Sequence, residues 1–439
     1  MSRRTFSMGG IHPAPCKWTA PEIEALPLPQ RAVVPLQQHI GAPAQAMVVK
    51  GDSVRRGQLI GQAPYAMSAA VHAPISGTVA AVEAALMPDG RRTPCVVIVA
   101  SAAEHDADEA ARADYWSSLP GATNDIIPDV TNIRRAVAAA GIVGMGGATF
   151  PSALKLTPQQ KVDLLIVNGC ECEPFLTCDD ALMRAWPVQT VAGVRMIMRA
   201  TGIERAVIAI EDNKPEAAAA LQQAAAAKPG VEVKVLRTRY PQGGERQLVE
   251  SVSGRRVPSG TIPAAVGVIV HNVATAFAVW QAVANDMPLI ERVISISGDI
   301  PAEERRNYRA AIGTPFSELP FTLGSDADTK IIVGGPMMGR CALTLDAPVT
   351  KGTSGITILD SGLRREPLPC IRCGACVDAC PMGLEPYLLE TYGRLRRWDD
   401  ALAADVADCI ECGSCSWSCP SSRPLLDYIR RAKTRCRKR

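Results

Sequence analysis

Two cysteine-rich runs near the carboxyl end of the chain constrain its folding more than any other feature. Both runs have the form C-x-x-C-x-x-C-x-x-x-C-P. Thiols packed this densely in a reduced compartment have no other common use than metal ligation. The sequence therefore predicts that all of them are ligands: Cys370, Cys373, Cys376 and Cys380 in the first run, and Cys409, Cys412, Cys415 and Cys419 in the second.

The spacing within each run is that of bacterial two-cluster ferredoxins. In those proteins three closely spaced thiolates hold one [4Fe–4S] cluster, and the fourth cysteine of each run ligates the other cluster. Two structural zinc sites are the alternative, but zinc thiolates usually come as two C-x-x-C pairs separated by a longer finger. We therefore assign the ligands in two sets that exchange one cysteine: Cys370, Cys373, Cys376 and Cys419 for one cluster, and Cys409, Cys412, Cys415 and Cys380 for the other.

Length and composition indicate that these runs belong to a larger multidomain protein. A chain of 439 residues is too long for one ordinary domain and predicts about two to four. The apolar content of 47% can fill several cores, and the low aromatic content of 4% favours α/β architecture over a β-sandwich. The formal net charge of +3 gives no reason to expect a nucleic-acid partner.

No targeting or membrane-spanning segment is expected. The basic residues at the amino end are not followed by the apolar stretch of a secretory signal. The longest apolar stretch, residues 264–284, is interrupted by His271, Asn272 and Gln281, so it falls short of the roughly 20 apolar residues of a spanning helix. With 15 cysteines and no signal, the chain is predicted to be a cytoplasmic protein, either soluble or peripheral to a membrane.

Residues 1–110 are predicted to form a barrel-sandwich domain of short strands. The segments KGDSVRRGQ and HAPISGTV place glycine and proline turns between β-rich runs, and they resemble the biotinyl/lipoyl carrier sandwich. A carrier presents a modifiable lysine between two methionines at a hairpin tip, whereas residues 65–69 here read YAMSA. We therefore expect a structural, unmodified module.

Residues 111–285 show a different pattern, in which apolar strand segments alternate with helical segments. This alternation predicts βαβ units and a parallel sheet, with ligands at the carboxyl ends of its strands. The predicted strands cover residues 163–168, 206–210, 231–236 and 266–271, and the clearest helical patterns cover residues 180–200 and 214–228.

The remaining chain is predicted to form two smaller modules and a tail. Short β-rich runs between glycine turns indicate a β-grasp-like module of the SLBB type at residues 286–350. A helical, ferredoxin-like domain with both clusters is expected at residues 360–430. Residues 431–439 are predicted to be a solvated basic tail, with docking to an acidic partner or an anionic lipid as the alternative.

A glycine-rich segment, residues 141–155, is the second informative motif. Gly144, Gly146 and Gly147 let the backbone approach a ligand and offer N–H groups to phosphate, while Lys155 adds a cation. The segment is neither a P-loop nor the G-x-G-x-x-G dinucleotide fingerprint, and it precedes the first strong strand. Taken alone it is also compatible with a tight turn.

Four segments in this order resemble the flavoprotein subunit of respiratory complex I and its relatives. They are residues 144–155, residues 168–174 (NGCECEP), residues 240–247 (YPQGGERQ) followed by Ser251, Gly254 and Pro258, and residues 271–275 (HNVAT). Together with GGIHP at residues 9–13, the sandwich module and the two clusters, they make the chain most similar to the C-subunit family of the Rnf ion-translocating electron-transport complex. The resemblance implies a modified Rossmann-like domain that binds FMN and NADH in one cleft.

The resemblance also implies roles for single residues. Gly144, Gly146, Gly147 and Lys155 would cradle the flavin and its phosphate, Asn168, Asn272 and Thr275 would complete its hydrogen bonds, and Phe150 would stack on the NADH adenine. Glu171, Glu173 and Glu245 would be the catalytic acids on the nicotinamide and ribose side, next to Gly244, and Tyr240 and Gly243 would complete the cofactor-binding set. Taken singly, the acids are also typical of solvated loops and the asparagines of turn caps.

Two departures from the complex I pattern occur in this region. Thr149 replaces a glycine and Arg246 replaces a second glutamate. Because a β-branched residue disfavours a positive φ, we expect the backbone near Thr149 to differ from that pattern.

The implied function is electron transfer between a two-electron carrier and one-electron centres. Hydride would pass between NAD(H), as substrate, and non-covalent FMN, and single electrons would pass through two [4Fe–4S] clusters. The implied partners are the membrane subunits of the same complex and a ferredoxin-type cluster subunit or soluble ferredoxin, on the cytoplasmic side of the bacterial inner membrane. Two alternatives stay open: a soluble flavin/iron–sulfur reductase such as a cobalamin reductase, and a flavin-free electron-relay subunit.

Overall fold

A computed structural model describes residues 4–119, 127–323, 329–360 and 366–436. The chain is a mixed α/β protein with several sheets, as the sequence predicts. In the described ranges no helix combines the length and the hydropathy needed to cross a membrane. The strands are β1 Ile23–Ala25, β2 Arg31–Pro35, β3 Gln45–Ala46, β4 Ser53–Val54, β5 Leu59–Gln62, β6 Val71–His72, β7 Gly77–Leu86, β8 Arg92–Val99, β9 Leu164–Gly169, β10 Ala206–Glu211, β11 Val231–Leu236, β12 Val268–Asn272, β13 Glu291–Gly298, β14 Arg306–Ala311, β15 Lys330–Val333, β16 Arg340–Cys341 and β17 Gly355–Leu359. The helices are α1 Ala102–Ser117, α2 Val130–Ala139, α3 Ser152–Lys155, α4 Cys178–Ala185, α5 Pro187–Thr201, α6 Pro215–Ala225, α7 Glu245–Ser253, α8 Val273–Asn285, α9 Ala375–Asp378, α10 Pro386–Arg394, α11 Trp398–Ala403, α12 Ser414–Trp417 and α13 Leu425–Cys436.

Two small antiparallel sheets form the amino-terminal sandwich. One sheet has the order β2-β8-β7-β4 and the other the order β3-β5-β6. Apolar side chains from both sheets, among them Ile60, Val71, Val79 and Ile98, are buried in one shared core. Facing sheets that bury alternate side chains in this way are the defining arrangement of a sandwich. The prediction of a sandwich module is confirmed.

The central sheet is parallel, in the order β11-β10-β9-β12. Its inner strands are apolar on both faces because helices cover both sides. Side chains of α5 and α8 pack on one face, and Leu248 and Val249 of α7 pack on the other. All four predicted strands are present within two residues of their predicted bounds. In the register of β9 and β12, Asn168 lies opposite Asn272 at the carboxyl end of the sheet.

One predicted helix is wrong in detail. The helical pattern over residues 180–200 forms two helices, α4 ending at Ala185 and α5 beginning at Pro187. Proline has no N–H to continue the first helix, but it fits the first position of a new one. The predicted single helix is therefore interrupted at Trp186, between α4 and α5.

A six-stranded sheet extends the predicted β-grasp-like module on both sides. Its order is β1-β14-β13-β17-β15-β16. Strand β1 comes from the predicted sandwich region and pairs in parallel with β14, while β17 lies beyond residue 350 and pairs in parallel with β13. The sheet therefore does not coincide with residues 286–350, because it joins segments that lie far apart in the sequence.

The cysteine-rich region consists of short helices around both runs. Leu389 of α10, together with Leu425 and Ile429 of α13, forms its apolar core with the cysteines. Helix α13 continues to Cys436, so residues 431–436, predicted as part of a basic tail, are helical instead. Lys433 on this helix is buried and donates a hydrogen bond to the carbonyl of Cys409. Residues 437–439 lie outside the described residues.

Candidate functional site

The glycine-rich loop at residues 144–150 is closed by its own backbone. The Gly144 N–H donates to the Phe150 carbonyl at 2.8 Å, the Thr149 N–H donates to the Gly144 carbonyl at 3.1 Å, and the Met145 N–H donates to Thr275 Oγ1 at 3.0 Å. Thr149 has φ 47°. The closed loop therefore holds a β-branched residue at a positive φ despite the steric cost, while the expected difference from the complex I pattern stays a prediction.

The tip of this loop offers unpaired donors to open space. Among the described residues, the backbone N–H groups of Gly146 and Gly147 have no hydrogen-bond acceptor. Gly147 has φ 97°, and a Cβ added there would meet no atom within 4 Å. Two adjacent free N–H groups on an open turn are the donor arrangement that binds phosphate oxygens. The loop therefore fits an anionic group such as the phosphate of FMN.

The carboxyl ends of β9 and β12 form the floor beneath the loop. Asn272 caps α8 by accepting a hydrogen bond from the Ala274 N–H at 2.8 Å, and its Nδ2 donates to Asp179 Oδ2 at 2.6 Å. Asn168 Nδ2 donates to the Gly243 carbonyl at 2.9 Å. Asn272 is thus a helix cap, as one interpretation of the sequence predicted. The carboxyl edge of the sheet also brings the segments around residues 168, 243 and 272 together.

Lys155 and Glu245 close the open side of this cleft. Lys155 Nζ donates to the Val270 carbonyl at 2.9 Å and lies 3.4 Å from Glu245 Oε1. It also lies 5.8 Å from the centroid of the Phe150 ring. A cation next to Phe150, the residue that closes the glycine loop, fits an FMN phosphate bound at that loop. The structure brings together these predicted residues: Gly144, Gly146, Gly147, Phe150, Lys155, Asn168, Gly243, Glu245, Asn272 and Thr275.

Glu171 and Glu173 make contacts that the sequence did not predict. The Glu171 carboxylate accepts hydrogen bonds from the N–H groups of Asp179 and Asp180, at 2.8 and 3.2 Å, and so caps helix α4. The Glu173 carboxylate accepts hydrogen bonds from the N–H groups of Met337 and Met338, at 3.1 and 2.8 Å. Both carboxylates are therefore held by backbone, and of the three predicted acids Glu245 has the most open carboxylate.

Burial perturbs the acids of this region. It raises the pKa of Glu173 to about 7, opposed by the hydrogen bonds from Met337 and Met338. Burial and the neighbouring Glu171 raise the pKa of Asp179 to about 7, opposed by its hydrogen bond from Asn272. Asp179 was not predicted as a site residue, because acids in the first turn of a helix, here Asp179 and Asp180, are common. Its contact with Asn272 appears only in the tertiary structure.

Tyr240 and Lys17 also have unexpected positions. The Tyr240 hydroxyl donates to the carbonyl of Cys412 at 2.7 Å, so this side chain points to the cysteine-rich region and not to the glycine loop. Lys17 Nζ donates to the carbonyls of Glu171, Glu173 and Leu176. A buried ammonium with three carbonyl acceptors fixes the turn after β9. Gly244 is the residue before the first turn of α7, directly before Glu245, and its predicted place beside the cofactor stays a prediction.

The cysteines fall into two groups. The inner cysteine set comprises Cys380, Cys409, Cys412 and Cys415, which line one cavity together with apolar residues such as Leu384 and Ile429. The outer cysteine set comprises Cys370, Cys373, Cys376 and Cys419. Within it, Cys370 and Cys419 lie close enough to Cys376 to raise its pKa, although burial is the larger cause.

Sulfur spacing distinguishes a cluster from a zinc ion. Tetrahedral zinc with Zn–S bonds of about 2.3 Å holds its sulfurs roughly 3.8 Å apart. In the described parts of the chain, no three of these cysteine sulfurs lie within 4.8 Å of one another. Thiolates of a [4Fe–4S] cluster bind different irons and are spaced more widely. Both cysteine sets therefore fit clusters better than zinc.

Burial separates the two sets. Cys380, Cys412 and Cys415 are buried, whereas Cys370 and Cys373 are exposed. Cys412 packs in one apolar cluster with Ile11, Tyr240 and Ala379, and Cys172 borders it. The inner cysteine set thus lies against the segments that follow strands β9 and β11, whereas two members of the outer set, Cys370 and Cys373, are exposed.

Family models match three consecutive parts of this chain. The RnfC barrel sandwich hybrid domain matches residues 5–103, the Nuo51 FMN-binding domain matches residues 137–281, and the 4Fe-4S dicluster domain matches residues 366–423. These matches agree with the predicted sandwich, flavin and cluster regions in order and in kind.

Curated relatives cover nearly the whole chain. The C subunit of the Na(+)-translocating ferredoxin:NAD(+) oxidoreductase complex of Acetobacterium woodii is 40% identical over 97% of this chain and 96% of its own length. The C subunit of the ion-translocating oxidoreductase complex of Rhodobacter capsulatus is 42% identical over 88% of this chain and 75% of its own length. A solved NAD+-reducing [NiFe]-hydrogenase chain shares the fold, with a TM-score of 0.53 at 19% identity over 86% of this chain and 75% of that one.

Proposed function

The chain belongs to the C-subunit family of ion-translocating ferredoxin:NAD(+) oxidoreductase complexes. From this premise we propose the roles of its residues in electron transfer that depends on NADH, FMN and iron–sulfur clusters. The main support is the position of two short segments, residues 168–173 and 240–245. On one side they contact Asn272 and Lys155, which lie next to the glycine loop, and on the other side they contact the inner cysteine set.

FMN is held without a covalent bond at the carboxyl ends of β9 and β12. The N–H groups of Gly146 and Gly147 and the ammonium of Lys155 bind its phosphate, and Thr275 keeps the loop closed through the Met145 N–H. When bound, FMN exchanges two electrons as hydride with NAD(H) and single electrons with iron–sulfur centres. Glu245 is the acid best placed to accept hydrogen bonds from a ribose, because its carboxylate is partly open and borders Lys155.

The other two acids have positioning roles in this proposal. Glu171 fixes the turn after β9 to helix α4, and Glu173 fixes the same turn to residues 337 and 338. Met337 in turn packs against the apolar cluster that contains Cys412 of the inner cysteine set. Glu171 and Glu173 therefore hold the flavin site and the inner cysteine set in fixed positions relative to one another.

The cysteines hold two [4Fe–4S] clusters in different positions. The inner cysteine set ligates the cluster next to the flavin site, where Tyr240 joins the two regions. The outer cysteine set ligates the cluster that faces the partner, because Cys370 and Cys373 are exposed. The partners are the other members of a membrane complex and a ferredoxin-type protein, so the chain works as a peripheral protein on the cytoplasmic side of the bacterial inner membrane.

An anaerobic NADH titration of the purified chain tests this function. We expect flavin absorbance to bleach at about one NADH per flavin, followed by cluster signals in EPR. Cluster signals that respond to dithionite but not to NADH, with no flavin in the preparation, would instead indicate a flavin-free relay.

A matched pair of variants tests the flavin site itself. Lys155→Gln removes the cation that closes the cleft, and we expect about tenfold weaker FMN binding, measured by fluorescence titration of the flavin-depleted chain. Lys161→Gln removes an exposed cation from the segment before β9, away from the glycine loop, and is expected to leave FMN affinity unchanged. Equal affinities in both variants would contradict the assignment of the phosphate to this loop.

A further inference from the structure

A second concave site lies at the opposite edge of the central parallel sheet. It is a cavity of about 440 Å³ whose lining includes Arg4, Arg205, Lys234 and Arg255, with Asp163 and the first residue of β9, Leu164. The glycine loop lies at the other end of β9. Since β9 has six residues at about 3.3 Å each, the cavity is separated from the flavin site by the length of a strand.

Positive charge in this cavity is only partly neutralised. Arg255 forms a two-pronged ion pair with Asp163, at 2.5 and 2.6 Å, which uses the only acid among the described residues of the lining. Lys234 Nζ donates to a carbonyl, that of Val252, at 2.9 Å. The Arg4 side chain has no hydrogen-bond or ion-pair partner in the part of the chain that the structure describes. The lining therefore carries a clear excess of positive charge.

The cations also lie close enough to repel one another. The pKa of Lys234 is lowered, first by burial and then by Arg4 and Arg205, while Glu232 opposes the shift. Glu232 lies 3.4 Å from Arg205 at an exposed position, where solvent weakens the pair. An anion placed between these side chains would relieve their repulsion and supply the acceptors that their N–H groups lack.

We propose that this cavity binds a phosphate group. Arg4 and Arg205 have planar guanidinium groups that match the oxygens of a phosphate, and Lys234 adds a compact charge. The phosphate can belong to a soluble phosphoric ester or diphosphate, or to the headgroup of a phospholipid. Both sources offer the same chemistry to the cavity, and they differ only in whether the group is presented at a membrane surface.

Isothermal titration of the FMN-loaded chain with pyrophosphate, at low ionic strength and after removal of unbound FMN, tests the proposal. The bound FMN keeps the probe away from the flavin phosphate site, and no free FMN competes for the cavity. We expect a single binding site whose affinity falls about tenfold or more in the Arg205→Gln/Lys234→Gln double variant. The matched control is Lys50→Gln/Arg92→Gln, which removes the same charge from exposed positions of the sandwich domain and is expected to change the affinity less than about twofold.

Vesicles distinguish the two sources of phosphate. If vesicles containing phosphatidylglycerol displace pyrophosphate from the wild-type chain, the group is a lipid headgroup; if they do not, it is a soluble ligand. No measurable binding of pyrophosphate to the wild-type chain would overturn the proposal. An equal loss of affinity in the control double variant would also overturn it, because it would show diffuse attraction by net charge.

Discussion

The inner and outer cysteine sets come from runs of identical spacing, yet the inner set is mostly buried and the outer set is partly exposed to solvent. Around the inner set lie Gly9, Tyr240 and Met337, which come from three distant parts of the chain. Around the outer set lie exposed apolar side chains of the same region, Ile371 at 67% and Trp417 at 54% exposure. Spacing therefore determines the chemistry of each set, and tertiary neighbours determine which set serves the flavin and which serves a partner.

Removing one cysteine ligand from each set should separate the roles of the two clusters. Each of Cys412→Ser and Cys373→Ser should lower the iron content by about half. In Cys373→Ser, NADH should still reduce the inner cluster, because its connection with the flavin site is intact. In Cys412→Ser, NADH should no longer reduce the outer cluster. EPR after anaerobic NADH addition measures both, with dithionite as the control that the surviving cluster is present. The reverse pattern would exchange the positions of the two sets.

The next effect concerns the amino-terminal segment that covers the inner set. Gly9 has φ 62°, and a Cβ there would lie 2.3 Å from the Cys380 carbonyl oxygen. Gly9→Ala should weaken the docking of this segment by about 2–3 kcal/mol. Hydrogen exchange measures it at the Gly10 and Ile11 N–H groups, which are bonded to Ala379 and Tyr240.

The control for this prediction is Gly51→Ala. Gly51 also has a positive φ, 97°, but its Cβ would meet no atom within 4 Å. Exchange at Gly10 and Ile11 should therefore stay at the wild-type rate in this variant. Equal exchange rates in Gly9→Ala and the wild type would show that the segment is not held against Cys380.

A smaller effect is the pH dependence that Glu173 brings to the inner side. Its pKa is raised from 4.5 to about 7 in the folded chain, so the folded state holds this proton more tightly than the unfolded state. The resulting stability is fully present below about pH 4.5 and is lost as the pH rises through about 7, amounting to up to about 3 kcal/mol. Glu173→Gln removes this contribution. Between pH 5 and pH 8, the midpoint temperature of thermal unfolding should fall more in the wild type than in the variant. Equal falls in both proteins would contradict the raised pKa of Glu173.

The smallest effect is a redox shift limited to one cluster. Tyr240→Phe removes a hydrogen bond worth about 0.5–1.5 kcal/mol to the Cys412 carbonyl, so the inner potential should fall by about 20–60 mV. The outer potential should not change. Tyr387→Phe is the control, because Tyr387 lies near Cys370 and Cys376 and donates to Glu385; both potentials should remain at their wild-type values in an EPR-monitored titration. A shift of both potentials in Tyr240→Phe would point to a general structural change.

Local patterns in the sequence were sufficient to predict the strands of the central parallel sheet. Strand β10 is apolar over nearly its full length and is buried at every position, so its place inside a covered parallel sheet follows from composition. The convergence of Asn168 and Asn272 follows as well, because both end strands of that sheet. The glycine loop needed the family resemblance, since its sequence alone is compatible with an ordinary turn.

Long-range pairings could not be predicted. Strand β1 is three residues long and mostly exposed, so nothing in its pattern indicates that it pairs with β14. The same limit explains Glu173 and Tyr240: their partners, Met337 and Cys412, lie far away in the sequence and are joined by backbone groups that every residue has. Contacts with backbone leave no signature in the identity of the partner.

The docking of residues 9–11 beside Cys380 also sets an order of events during synthesis. The carbonyl partners of this segment, at Ala379 and Tyr240, emerge from the ribosome long after the segment itself. Residues 9–11 therefore have to remain undocked until the chain has been made as far as Ala379 and Cys380. The first residues to be synthesised are then among the last to pack, and their docking covers one side of the inner cysteine set.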